Sequence, residues 1–151
     1  LMKTGARLVV KTAKAIADDN YQQTDQKQLI NNNEELKPAP KIFRDQCRID
    51  WNQEVGRLFN FIRGLSPYPA AWTELVTGQT RKNIKIFACR KIVAEHDIAP
   101  GNIITDNKTY IDVMCRKGFV KILSLQMEGK KRLSVEDFLK GFAFNEFMKF
   151  N

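Results

Sequence analysis

Residues 55–72 read VGRLFNFIRGLSPYPAAW, and the way this stretch stops decides the fold. Val55, Leu58, Phe59, Ile62 and Leu65 recur at helical spacing and form one apolar stripe, the mark of a helix that buries one face. Asp50, with Gln53 three residues on, is the expected N-cap. Pro67 and Pro69 then end the pattern. Proline lacks the backbone donor and clashes with the preceding turn, and it pushes Ser66 towards extended geometry. The chain therefore leaves the helix stiffly and in a fixed direction.

Beyond the prolines the periodicity changes. Ile84, Ile86 and Ala88 alternate with other residues, as do Ile111, Val113 and Cys115, and then Phe119, Lys121, Leu123, Leu125 and Met127. Each run is bounded by Gly, Asn or Asp, so each reads as a short strand. Ser134 with Asp137, ahead of Phe138 and Leu139 and followed by Gly141, predicts a brief capped helix. Several short strands at this spacing fit a mainly β domain with flanking helices, a small barrel rather than a parallel sheet.

Upstream, Leu8, Val9, Thr12 and Ile16 recur near helical spacing from Leu1 to Ala17, with no cap before them. This reads as the last helix of a preceding domain. Residues 18–40 are polar, rich in Gln and Asn, and end in Pro-Ala-Pro, a linker composition. The expected organisation is a terminal helix (1–17), a linker (18–40) and a folded domain (41–151). The chain of 151 residues is 43% hydrophobic, ordinary for a globular protein. No apolar run approaches the roughly 20 residues of a membrane span, and no charged-then-apolar leader opens it, so a cytoplasmic, non-membrane location is expected. Cys47, Cys89 and Cys115 are scattered without ligand spacing, which predicts reduced, mostly core thiols and no metal site.

The net charge is +8 and the isoelectric point about 9.5, which favours polyanionic partners, nucleic acid first. The excess lies between positions 81 and 132, where twelve Lys and Arg face five Asp and Glu. A solvated surface is the alternative reading of such a bias. Catalytic chemistry is scarce. His96 is the one histidine, without a nucleophile paired to it by any local signature, and reads as a surface residue. No Gly-rich phosphate loop occurs. Trp51, Trp72, Tyr68 and Tyr110 are the aromatic residues suited to stacking on bases, although Trp51 and Trp72 bracket the amphipathic helix and fit core anchors better.

Three segments in order, IDW at 49–51, LFNFIRGLSPYPAAWTEL at 58–75 and LQMEGKKRLSVEDFLKG at 125–141, resemble the C-terminal half of methionyl-tRNA formyltransferases. MKTGARLVVKTAKAI at 2–16 resembles the last helix of that family's catalytic domain. Tyr68 stands where the family usually has Trp, and Ala70 where it usually has Gly. The resemblance implies an OB-like barrel with a basic surface for tRNA, within an enzyme of translation initiation. Such an enzyme moves a formyl group from 10-formyltetrahydrofolate to the amino group of methionyl initiator tRNA. It also implies that the catalytic Asn, His and Asp and the folate-holding loop belong to an N-terminal domain that no part of this sequence matches, so this stretch holds no catalytic residue and is not expected to act alone.

The residues expected to contact phosphate are Arg81, Lys82, Lys85, Arg116, Lys117, Lys121, Lys130, Lys131 and Arg132. Lys130 and Lys131 lead, because they sit in the matched Gly-Lys-Lys motif. Phosphate contacts orient a nucleic acid without reading its sequence. A monomer bound to initiator tRNA, without metal, is the expected state. Two alternatives stay open at this point: the same module in a sugar-nucleotide or folate formyltransferase or hydrolase, and a purely structural or interaction module.

Overall fold

The structure is a computed structural model that describes residues 2–29 and 38–151. The chain divides into two compact units, Leu1–Pro40 and Lys41–Asn151. In the first, α1 (Met2–Ala17) carries the expected apolar positions, with Leu8, Val9, Val10 and Ile16 exposed. Part of the expected linker, residues 30–37, lies outside the described residues. No helix among the described residues is long and apolar enough to cross a membrane.

The second unit opens with a 3-10 turn, Arg44–Cys47, and then α2, Val55–Leu65. Seven strands follow: β1 (Ala71–Thr77), β2 (Thr80–Val93), β3 (Ile103–Thr105), β4 (Ile111–Cys115), β5 (Gly118–Met127), β6 (Leu133–Ser134) and β7 (Met148–Phe150), with α3 (Val135–Leu139) between the last two. The strand order is β3-β4-β5-β2-β1-β7, and β6 pairs with β5. Phe150 donates its N–H to the Gly101 carbonyl at 2.9 Å, and an antiparallel bridge joins Asn102 to Lys149. These contacts bring β7 against the approach to β3, so the sheet nearly closes into a barrel, as the spacing of short strands predicts.

The helix stripe behaves as read from the sequence: Val55, Leu58, Ile62 and Leu65 are buried and join one core with Ile84, Ile86, Val113, Ile122 and Leu125. Its start differs. Asp50 does not cap α2; its carboxylate accepts the Asn52 backbone N–H at 3.0 Å and the Gln53 amide at 2.8 Å, which closes a turn of its own. Glu54 remains extended, bridged to Arg116, and Val55 donates its free N–H to the Arg116 carbonyl. One orphan donor of the first turn is thus met by the β4–β5 hairpin. Ser134 does cap α3, accepting from the Asp137 N–H.

The inward face of β5 is also corrected. Val120 and Ile122 point inward, and then Leu125 and Met127, so Phe119, Lys121 and Leu123 lie outside the core. The pairing of β2 with β5 shifts at Ile86/Ala88 and at Ala88/Cys89, leaving Phe87 and Leu123 without partners. Each bulge changes which residues face inward, and strict alternation cannot register it. At the hairpin between β4 and β5, Gly118 has φ +147, and a Cβ there would lie 2.0 Å from the Ile92 carbonyl oxygen.

After α2 the chain turns through Ser66–Pro67 and Tyr68–Pro69, both cis. Ala70, at φ 71, donates its N–H to the Leu65 carbonyl at 2.9 Å. A small residue is required here because the position is left-handed and fully enclosed, which accounts physically for the glycine usual in the resembling family.

Candidate nucleic-acid interface

Because Ile84 and Ile86 point into the barrel, Lys85 between them points out. Its ladder neighbours are Trp72 on β1 and Gln126 on β5, and these residues share the outer face. The turn after α2 lays Tyr68 and Pro69 against this face, and the 3-10 turn brings Arg44. Together they line a cleft of about 510 Å³ with Asn83, Glu128 and Gly129. Tyr68 is 89% exposed.

Cations rest on the aromatic rings of this unit. The guanidiniums of Arg44 and Arg48 lie 5.2 and 5.5 Å from the Trp72 ring, and the Trp72 indole N–H donates to the Arg44 carbonyl at 2.8 Å. Arg132 lies 4.5 Å from the Phe87 ring and donates Nε–H to the Ser124 hydroxyl at 2.8 Å. Arg63 and Lys91 flank Phe59 at 5.8 and 5.7 Å. A cation over a ring is held in place by the ring's quadrupole, so its outward edge is ready to meet an anion.

The residues expected from the sequence do not form one patch. Lys85 and Arg132 lie on the outer face of the β2–β5 ladder, and Lys130 and Lys131 are exposed on the turn that follows β5. Arg81 shares that outer face but is paired with Glu74 at 3.0 Å, a carboxylate also held by Arg48 at 2.9 Å. Lys82, one residue on, has the opposite parity and opens near Leu75, Phe142 and Met148. Arg116 and Lys117 belong to the β4–β5 hairpin, where Lys117 pairs with Glu54 and holds the Glu54 carboxyl below its usual range. Lys121 faces Asp112 at 3.4 Å and lies 4.9 Å from the Tyr110 ring.

Asp112 is buried, and burial raises its carboxyl against the opposing pull of Lys121. Burial likewise pushes the Cys89 and Cys115 thiols up to about 11, so neither is an activated nucleophile. His96 accepts the Ile98 N–H on Nδ1 and donates from Nε2 to the Gly118 carbonyl at 2.8 Å. That geometry makes it a loop fastener.

Sequence reasoning missed Arg44, Arg48, Arg63 and Lys91 at the rings. Arg44 and Trp72 are 28 positions apart, and no local motif joins them. Of the aromatic candidates, Trp51 is a core residue: it is 3% exposed, stacked on Phe150 at 5.8 Å and bonded from its indole N–H to the Thr73 hydroxyl. Trp72 lines the outer cleft instead.

A small, nearly closed β-barrel with an entering amphipathic helix and a basic, aromatic-edged outer face is the class defined by this geometry. Residues 41–143 match the family model described as formyl transferase, C-terminal domain, and the chain belongs to that family. A methionyl-tRNA formyltransferase of Phocaeicola vulgatus is 50% identical over 147 residues, 97% of this chain and 45% of the relative. One of Parabacteroides distasonis is 48% identical, covering 94% of this chain and 44% of the relative. The chain therefore spans less than half the length of these curated relatives. A crystal structure of a HypX variant from Aquifex aeolicus superposes with a TM-score of 0.57 at 18% identity, over 91% of this chain and 24% of that one, a likeness of fold.

Proposed function

We propose that this chain serves a methionyl-tRNA formyltransferase as its tRNA-holding part. The carrying observation is the cationic outer face of the β2–β5 ladder, with Lys85, Arg132, Lys130 and Lys131 outside any ion pair among the described residues, in a chain 50% identical to a relative of that name.

In this reading the whole protein transfers a formyl group from 10-formyltetrahydrofolate to the methionyl amino group of initiator tRNA, and the catalytic residues lie in a separate domain. The present chain contributes position. Its cations grip the phosphate backbone, which fixes orientation without reading sequence. Residues 18–40 let the two halves engage one tRNA, which raises the effective concentration of the acceptor end at the catalytic domain. The unit works as a monomer in the cytoplasm.

The test is titration of the chain with initiator tRNA across a salt series. Binding should weaken with a log–log slope of about 0.7–0.9 per phosphate neutralised. Replacing Lys130 and Lys131 together by Ala should lower that slope by about one to two. Absence of binding at low salt would remove the tRNA role.

A further inference from the structure

The outer cleft has more structure than a phosphate grip needs. Tyr68 is held between Pro67 and Pro69 and is 89% exposed, although an aromatic side chain loses by standing in water. Proline on both sides limits the backbone freedom available to it, so its ring is presented over the cleft at small entropic cost. Opposite, Trp72 is locked by its indole bond to the Arg44 carbonyl and forms a wall. Arg44 and Lys85 line the same cleft, and neither is in an ion pair among the described residues.

The cleft also carries groups that fit a base edge better than a phosphate. Asn83 donates its side-chain amide to Glu128 at 3.1 Å, and Gln126 donates its amide to the Lys130 carbonyl at 2.7 Å. Both amides are thereby oriented, and their carbonyl oxygens accept no hydrogen bond among the described residues. The Glu128 carboxylate is held below its usual range by the Asn83 hydrogen bonds, with a smaller pull from Arg44, so it stays ionised and can only accept. The cleft therefore presents cations, Arg44 and Lys85, side by side with acceptors, Asn83, Gln126 and Glu128, Lys85 lying opposite Gln126 on the ladder. A nucleotide carries the matching groups, an anionic phosphate and base N–H donors. At about 510 Å³ the cleft falls within the size range of sites for small organic ligands.

We propose that this cleft takes one unpaired nucleotide of the bound RNA, with its base stacked on Tyr68, its phosphate at Arg44 and Lys85, and its donor edge towards Asn83, Gln126 and Glu128. The proposal rests on the RNA-binding reading above and sharpens it from backbone grip to a defined subsite. A base inside a duplex shows only its edges, and it cannot lie on Tyr68. The subsite therefore selects for a loop, bulge or end of the RNA.

The experiment uses the 151-residue chain with three probes: initiator tRNA, a single-stranded adenylate hexanucleotide and a blunt RNA duplex. Binding is read from tryptophan fluorescence, because Trp72 lines the cleft while Trp51 is buried. The hexanucleotide should change that fluorescence and compete with tRNA. Tyr68→Ala should weaken hexanucleotide binding about tenfold, the loss of one stacked base, with duplex binding unchanged and the melting temperature preserved. Tyr68→Phe should restore it, since the ring and not the hydroxyl makes the contact. Equal affinity of Tyr68→Ala and the parent for the hexanucleotide would overturn the proposal, as would tRNA binding with no hexanucleotide binding. Hexanucleotide binding with no tRNA binding would overturn the tRNA role alone, and failure of both would overturn both.

Discussion

Trp51 and Trp72 bracket the same helix and both have their indole N–H satisfied, yet they do opposite work. Trp51 lies inside, stacked on Phe150 and bonded to Thr73. Trp72 precedes Thr73 on β1 and so faces the other way, carrying two guanidiniums at the edge of the cleft. One strand thus writes stability on Ala71, Thr73 and Leu75 and surface chemistry on Trp72, Glu74 and Val76. An aromatic residue's role here follows from where the backbone places it, in the turn ahead of α2 for Trp51 and on an outward position of β1 for Trp72, not from its chemistry.

The largest effect that sharpens this contrast is on the inside. Trp51→Ala should cost about 3–5 kcal/mol, the usual range for emptying an aromatic core site, as read from urea unfolding. Next comes backbone room at the hairpin that receives α2. Gly118→Ala should cost about 1–3 kcal/mol, because φ is +147 and the new Cβ meets the Ile92 carbonyl oxygen; thermal unfolding checks it. On the outer side, Trp72→Ala should cost only about 1–2 kcal/mol, one hydrogen bond and its cation contacts, while lowering RNA affinity. A core-sized stability loss there would mean that Trp72, like Trp51, is a core anchor.

A smaller effect is set by pH. Asp106 accepts the N–H groups of Lys108, Thr109 and Tyr110 and the Thr109 hydroxyl, which holds its carboxyl well below the usual carboxylate range. Its contribution is therefore present above the unfolded value, about 3.9, and is lost as pH falls through the lower folded value. Asp106→Asn should flatten the acid limb of stability against pH in circular dichroism. The smallest effect is at Ala70. Its φ of 71 costs an L-residue about 1–2 kcal/mol, offset in part by the freedom glycine has when unfolded. Ala70→Gly should stabilise by no more than about 1 kcal/mol, measurable as a small rise in melting temperature.

The elements legible in the sequence were those whose signals are local. The stripe from Val55 to Leu65 and the Ser134 cap are contained within a few residues, and both stand in the structure. The start of α2 was misread because Asp50 and Gln53 satisfy one another, while the true docking partner of the first turn, the Arg116 carbonyl, lies 61 positions downstream of Val55. The phase of β5 was misread because a bulge adds a residue without leaving a mark on composition. The candidate site was legible as a charge excess but not as a surface. Arg81 and Lys82 are neighbours in the chain and diverge to opposite faces, whereas Arg44 joins Trp72 only through folding.

Phe150 bonds Gly101, and Asn151 exchanges N–H and carbonyl with Glu74 at 2.9 and 3.2 Å. These few bonds cover the open side of β1 and the approach to β3. Removing residues 148–151 would leave two rows of unpaired backbone donors and acceptors, and an uncovered sheet edge is a template for pairing with another molecule. Residues 148–151 thus cover a sheet edge that would otherwise be open to pairing.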